Sequence, residues 1–322
     1  MDEIELLSEV AKMYYVQNLT QNEIAKTIHT SRSTVSRLLQ EARDKGVVEI
    51  NIHYPWDRSL IMEEHLQQQF DLKDIRVLET RGRSTDETLL GVALLAARYL
   101  SSIIKADSIL GMSWGRMIYH TVQLVKAERA LAIKVVQLFG AAIPNNKIDG
   151  LELVHQLASK YNGQYYAIHA PLFVENNEVK QSLLQNPHIK ETLDLAQQAT
   201  IILTGIGSLE SPLAPSQTWL GFLSQATIKH LKEQGAVGHI CAHHYNIEGQ
   251  ILDIDLHQGI VGAGLDILHK APQVIGVASG KEKARAILGA LRGKHINILI
   301  TDDITAQNVL TLNTSSDRTK KG

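Results

Sequence analysis

The chain has 322 residues, is 44% hydrophobic and 20% charged, and carries a formal net charge of −2 at pH 7. That length suits one small and one large domain, the composition supports a packed core rather than disorder, and the near-neutral charge excludes a protein that coats nucleic acid by bulk phosphate neutralisation. The single cysteine, Cys241, rules out an internal disulfide framework. The acidic, amphipathic start does not read as a signal peptide and no apolar run approaches a membrane span, so a cytoplasmic protein with no membrane partner is expected.

Residues 4–17 place Ile4, Leu7, Val10, Ala11, Tyr14 and Tyr15 at helical spacing, and Asn18 ends that helix. Thr20 followed by Glu23 is a capping box, in which each side chain satisfies an orphan amide at the start of a second, short helix with Ile24, Ala25 and Ile28 inward. Thr30 or Ser31 caps a third helix whose inner face is Val35, Leu38, Leu39 and Ala42. Small Ala25 lets two short helices cross closely, and the apolar spacing is that of a helix-turn-helix. His29 stands at the turn, where glycine is usual because the backbone favours positive φ.

Residues 1–55 carry six Lys/Arg against eight Asp/Glu, but between Lys26 and Gln40 there are cations only, so a DNA-facing surface must be local. The polar residues near the second and third helix starts, Thr20, Gln21, Ser31, Arg32, Ser33, Thr34, Ser36 and Arg37, are the candidate DNA contacts. Hydroxyls and amides suit phosphates, and an arginine fork suits guanine. The spacing leaves open which arginine reads a base. Past Gly46, VVEINIHY alternates Val48, Ile50 and Ile52 as a short strand or wing, and Pro55-Trp56 marks a boundary. Residues 58–70 form a helix with Leu60, Ile61, Glu64 and Leu66 near one side, expected as a linker that pairs subunits or as the first helix of the next domain.

From residue 75 short apolar runs alternate with helical stretches: 75–79, 107–115, 134–140, 164–171, 200–208, 236–245, 273–280 and 296–302. Continuous apolar strands between helices predict an α/β domain with a mostly parallel, Rossmann-like sheet, whose ligands sit beyond the carboxyl ends of the strands. Three of those ends carry suitable chemistry: GMSWGR (111–116), GIGS (205–208) and SGKEK (279–283). Glycines let amides approach an anion, and a helix start favours negative charge.

The residues resemble the SorC family of sugar-responsive regulators. The similarity rests on Tyr14-Tyr15 with LTQNEIA (19–25), STVSRLL (33–39), GMSWGR, GIGS, VGHI (237–240) and ILGALRGKHINILITD (287–302), in the family's order over nearly the whole length. The resemblance implies an effector domain similar to sugar-phosphate isomerases and glucosamine-phosphate deaminases, a homotetramer, and a sugar or phosphorylated sugar as effector. It also implies that Ser113, Gly115, Arg116, Gly205, Gly207 and Lys283 line the effector site, with Lys283 or Arg116 facing a phosphate. Trp114, Ser208 and Gly280 at the same strand ends, with Gly140 at the end of the run 134–140, complete the candidate set. Gly-Ala-Ala (140–142) where the family often has two glycines, Met117 where Thr is common, and His239 where Asp is frequent are departures on that rim, and bear on which ligand is held.

The expected organisation is a helix-turn-helix domain over 1–55, a linker helix over 56–74 and an effector and oligomerisation domain over 75–315. The expected function is a regulator of a carbohydrate-utilisation operon that binds double-stranded operator DNA and needs no cofactor. An enzyme of the sugar-phosphate isomerase or deaminase type would need a positioned acid/base pair, and Glu210, Asp253, Asp255 and Asp302 show no compelling spacing. HICAHH (239–244) would put His239, Cys241 and His243 on one face of a strand, a donor set that suits zinc. A solvated or hydrogen-bonded strand end is the plainer reading, and no metal is expected. A scaffold that binds DNA without any effector would leave the three glycine-rich ends unexplained.

Overall fold

The computed structural model describes residues 3–48, 57–141, 150–210 and 223–319, with side chains to residue 315. The chain divides into two compact units, Met1–Pro55 and Trp56–Gly322.

In the first unit α1 (Glu3–Ala11) continues into a π-helical turn, Lys12–Val16, before Asn18 turns the chain at φ 55°. Thr20 caps α2 (Gln21–Thr27) and the capping box is complete: the Glu23 amide donates to the Thr20 hydroxyl, and the Thr20 amide donates to the Glu23 carboxylate at 2.8 Å. His29 takes φ 51°, as expected for that turn, and Ser31 rather than Thr30 caps α3 (Arg32–Asp44) through the Thr34 amide. Val10, Met13, Ile24, Ala25, Val35 and Leu39 form one buried cluster, and Leu7, Ala11 and Ala42 a second with Val47 and Val48 against it. Ile4, expected on the inner stripe, is 59% exposed and joins neither cluster. The wing beyond Val48, with Ile50, Ile52, Pro55 and Trp56, lies outside the described residues.

The second unit opens with α4 (Leu60–Gln69) and β1 (Asp74–Leu78), followed by α5 (Thr85–Ile103), β2 (Ile109–Met112), α6 (Arg116–Leu124), β3 (Lys134–Gln137), α7 (Gly150–Tyr161) and β4 (Gln164–Tyr166). Next come α8 (Asn177–Gln185), α9 (Pro187–Ala196), β5 (Ile201–Gly205), β6 (Gly207–Ser208), α10 (Gln225–Glu233), β7 (Gly238–Ile240) and β8 (His243–Tyr245). The chain closes with α11 (Asp255–Gln258), α12 (Ile267–Lys270), β9 (Gln273–Val277), a 3-10 turn at Lys281–Lys283, α13 (Ala284–Arg292), β10 (Ile298–Asp302) and α14 (Asp303–Thr319).

Among the described residues seven strands form one wholly parallel sheet in the order β1-β10-β9-β5-β2-β3-β4. Successive strand residues feed opposite layers. Val77, Val136, Ile202, Val274 and Leu299 join one core with α13 and α14, while Leu78, Val135, Leu203, Ile275 and Ile298 join the other with α5, α6 and α7. Burial on both faces explains the unbroken apolar runs.

Two expectations meet corrections here. Run 236–245 does not enter the parallel sheet. It folds as the antiparallel hairpin β7–β8, which pairs with β6 in a separate three-stranded sheet. The hairpin turn is Cys241-Ala242, with φ 45° and 65°, the positive pair of a type I′ turn. That turn breaks the alternation, so His239, Cys241 and His243 do not share one face of a single strand. In α4 the stripe is also displaced: Leu66 is buried, but Leu60 and Ile61 are 66% and 64% exposed, and Glu63 is buried instead. β1 is a sheet edge, and Glu63 accepts the Val77 amide at 2.8 Å there while also accepting from the Arg58 guanidinium. An edge amide needs a partner when covered, and a paired carboxylate supplies one. The helix expected as a linker thus packs on β1 and α14. Among the described residues no helix is long and apolar enough to cross a membrane.

Candidate functional site

Sheet order locates the crevice. From β2 the chain winds outward through β3 and β4, then crosses back to β5 on the other side of β2 and continues outward to β9 and β10. The winding reverses between β2 and β5, which is where open α/β sheets leave a cleft beyond their carboxyl ends. Ser113 and Gly205 face each other across this point, the Gly205 amide donating to the Ser113 hydroxyl at 3.2 Å.

Three connections surround the crevice. After β2, Gly115 takes φ 131°, a conformation that L side chains rarely adopt, and α6 starts at Arg116. Arg116 is paired with the exposed Asp86 at 2.9 Å, a pair that an incoming anion can replace. After β9, the 3-10 turn brings Lys283 to donate to the Ile206 carbonyl at 2.6 Å, and the Glu282 carbonyl accepts from the Ser208 hydroxyl at 2.8 Å. Burial pulls the Lys283 ammonium down to about 8; Glu282 opposes this and the positive charge of Arg116 adds to it. Gly207 lies under the His239 ring, with no room for a Cβ: an added carbon would stand 1.9 Å from Nε2.

Of the expected effector residues, Ser113 and Gly205 meet across the reversal, Gly207 and Ser208 form β6 just beyond β5, Arg116 opens α6 and Lys283 reaches the Ile206 carbonyl. Trp114, Gly140 and Gly280 have shaping roles. The Trp114 indole donates to the Gly140 carbonyl at 3.1 Å and packs on Phe139, the Gly140 amide donates to the Val261 carbonyl, and the Gly280 amide donates to the Thr305 hydroxyl at 2.9 Å. Ala142, from the Gly-Ala-Ala stretch, lies outside the described residues. The carboxylates considered for catalysis are dispersed. Asp302 is taken up by the Thr305 amide and hydroxyl and by the Gly280 amide, Glu210 pairs with Arg285, and Asp253 and Asp255 are exposed.

Behind the rim lies a group that sequence reasoning missed as a unit: His239, His243, His244 and His257. The His244 and His257 rings stack at 5.6 Å, and the His239 and His244 rings stand 5.5 Å apart. The His244 backbone amide donates to His257 Nε2 at 2.9 Å, which fixes that nitrogen as unprotonated. Burial, reinforced by neighbouring positive charge, lowers His239 to about 3, His244 to about 2 and His257 to about 4. Their folded values lie below the ordinary histidine value, so stability present above pH 6.5 is lost as pH falls toward 4. We therefore expect the urea midpoint of the large unit to fall between pH 7.5 and 5, above the carboxylate range. An unchanged midpoint over that interval would contradict neutral burial of this cluster. Cys-Ala is not among the usual type I′ pairs, so no local signal marked the hairpin that assembles it.

On the first unit, Arg32, Ser33, Ser36 and Arg37 are exposed along α3, and Gln21 and Thr34 are half-buried. Thr20 and Ser31 serve as caps, the Ser31 hydroxyl also lying 2.7 Å from Ser33 Oγ and 2.9 Å from Thr34 Oγ1. The only carboxylate between Lys12 and Gln40 is Glu23, held by the Thr20 amide and hydroxyl.

Comparison with known proteins matches residues 54–311 to the family described as "Putative sugar-binding domain" and residues 6–55 to the Crp-like helix-turn-helix domain. The chain is 29% identical to the sorbitol operon regulator of Klebsiella pneumoniae over 96% of this chain and 98% of that one. It is 31% identical to the transcriptional regulator LsrR of Enterobacter sp. (strain 638), over 97% and 94% respectively. The deoxyribonucleoside regulator of Bacillus subtilis is 28% identical over 94% and 96%. The crystal structure of full-length SorC from Klebsiella pneumoniae superposes with a TM-score of 0.76 at 28% identity, covering 96% of this chain and 99% of that one.

Proposed function

The chain belongs to the SorC family of sugar-binding transcriptional regulators, and from that premise we propose that it regulates a carbohydrate-utilisation operon by binding operator DNA through α2 and α3. The effector is a phosphorylated sugar held at the β2/β5 crevice, with Arg116 and Lys283 toward the phosphate and Ser113, Gly205, Gly207 and Ser208 toward the rest. The observation that carries this reading is the reversal of strand order between β2 and β5, where the Gly205 amide donates to the Ser113 hydroxyl and Lys283 reaches the adjoining Ile206 carbonyl. Residues 1–55 act as the reader, 56–74 as the connecting segment and 75–315 as the effector and oligomerisation domain. A homotetramer is the assembly, with the exposed Leu60 and Ile61 of α4 available to pair subunits. Dimeric readers of this kind bind half-sites about one helical turn, or a multiple of it, apart. The sugar changes DNA affinity by the difference in its own affinity for the DNA-competent and DNA-incompetent arrangements.

A melting screen of the full chain against free and phosphorylated sugars tests the effector, because a ligand raises stability according to its concentration over its dissociation constant. The expected result is a rise in Tm with at least one sugar phosphate and none with its dephosphorylated form. A panel in which inorganic phosphate, sugars and sugar phosphates all leave Tm unmoved would overturn the crevice assignment.

A further inference from the structure

A surface depression of about 620 Å³ on the first unit has Tyr14, Asn18, Gln21, Asn22 and Arg32 around it. The fold has already used two of the other polar groups there. The Tyr15 hydroxyl accepts from Arg43 at 2.8 Å, and the Thr20 hydroxyl donates to Glu23 at 2.7 Å. The Tyr14 hydroxyl and the Arg32 guanidinium have no partner among the described residues. Both tyrosines sit on the π-helical turn, edge to face at 5.0 Å, and such turns concentrate at functional positions. The nearby carboxylate, Glu23, is occupied by the Thr20 amide and hydroxyl. What remains is a concave set of donors, one cationic, with the side-chain amides of Asn18, Gln21 and Asn22 beside them.

We propose that Tyr14 and Arg32 together seat one phosphate of the DNA backbone, which leaves Arg37 as the arginine of α3 that reads base edges. The inference rests on the DNA-binding reading and deepens it. A phosphodiester oxygen accepts from a phenol and a guanidinium at once, whereas a base edge in the major groove offers no reason for a phenol on a neighbouring helix. Phosphate contacts set the register of the reader and carry no sequence information, while base contacts carry the discrimination. Arg37 is exposed on α3 and is not among the residues around the depression.

The test measures binding of the full-length protein to a random-sequence duplex and to a site that wild-type protein selects from a random pool, over a range of salt. Arg32→Ala is expected to weaken both duplexes equally, about tenfold, and to lower the salt slope by roughly one. Tyr14→Phe keeps the ring and removes only the hydroxyl; it is expected to weaken both about threefold to tenfold with the slope unchanged. Arg37→Ala is expected to bring the two duplexes closer in affinity. Tyr14→Phe binding the random duplex as tightly as wild type, or Arg32→Ala losing only the selected site, would overturn the proposal. Wild-type protein that retains neither duplex would instead remove the DNA-binding reading on which it rests.

Discussion

Replacing Lys283 with alanine is expected to lower affinity for a phosphorylated sugar by about 100-fold, the loss of two charge-assisted hydrogen bonds at roughly 1.5 kcal/mol each. The ammonium is already held beside the end of β5 by its bond to the Ile206 carbonyl, so little ordering remains when ligand arrives. Binding of the dephosphorylated sugar and of DNA should be unchanged within about threefold, since neither engages this group. The pH dependence carries a separate signature. Burial has moved the free ammonium down to about 8, so above that pH the site must take up a proton to hold an anion. Affinity for the phosphorylated ligand is therefore expected to fall by up to about tenfold per pH unit above 8, and Lys283→Ala should flatten the profile. Calorimetric titration from pH 7 to 9.5 measures both. A profile identical in wild type and variant would show that Lys283 does not hold the phosphate.

The second large effect concerns the reader. Leu39→Ala is expected to remove about 3 kcal/mol from the first unit, because Leu39 is 2% exposed within a cluster of six buried residues, and deleting such a side chain costs both transfer energy and a cavity. A unit of this size holds on the order of 3–5 kcal/mol in its core, so that loss leaves a substantial fraction unfolded at 37 °C. Affinity for a random-sequence duplex should fall about tenfold or more at that temperature. Ligand affinity at the β2/β5 crevice should be unchanged, since that site is built wholly within the second unit. Hydrogen exchange checks the attribution: α1–α3 amides should lose protection while β2, β5 and β9 amides keep it. Full protection of α3 in the variant would contradict the assignment of Leu39 to a marginal core.

What could be read without coordinates was local. The Thr20–Glu23 capping box, the positive φ at His29 and the inner face of Val35, Leu39 and Ala42 involve residues within one or two turns of each other, and chain chemistry alone specifies such arrangements. Continuous apolar runs between helices likewise announced a parallel sheet buried on both faces, and the glycine-rich strand ends pointed to its rim. Tertiary structure decided which strands are neighbours. A strand's own residues record that both faces are covered, not by which partner, so the reversal between β2 and β5 and the reach of Lys283 to the Ile206 carbonyl beside it were invisible in the sequence. The same holds for Cys241-Ala242, whose positive φ values turn an apolar run into a hairpin, and for Glu63, buried because an edge amide at Val77 needs an acceptor. For the strand order and for Glu63 the deciding contact joins residues distant in the chain, about which side-chain patterning carries no information, whereas the hairpin turns on a local pair that is not among the usual type I′ residues.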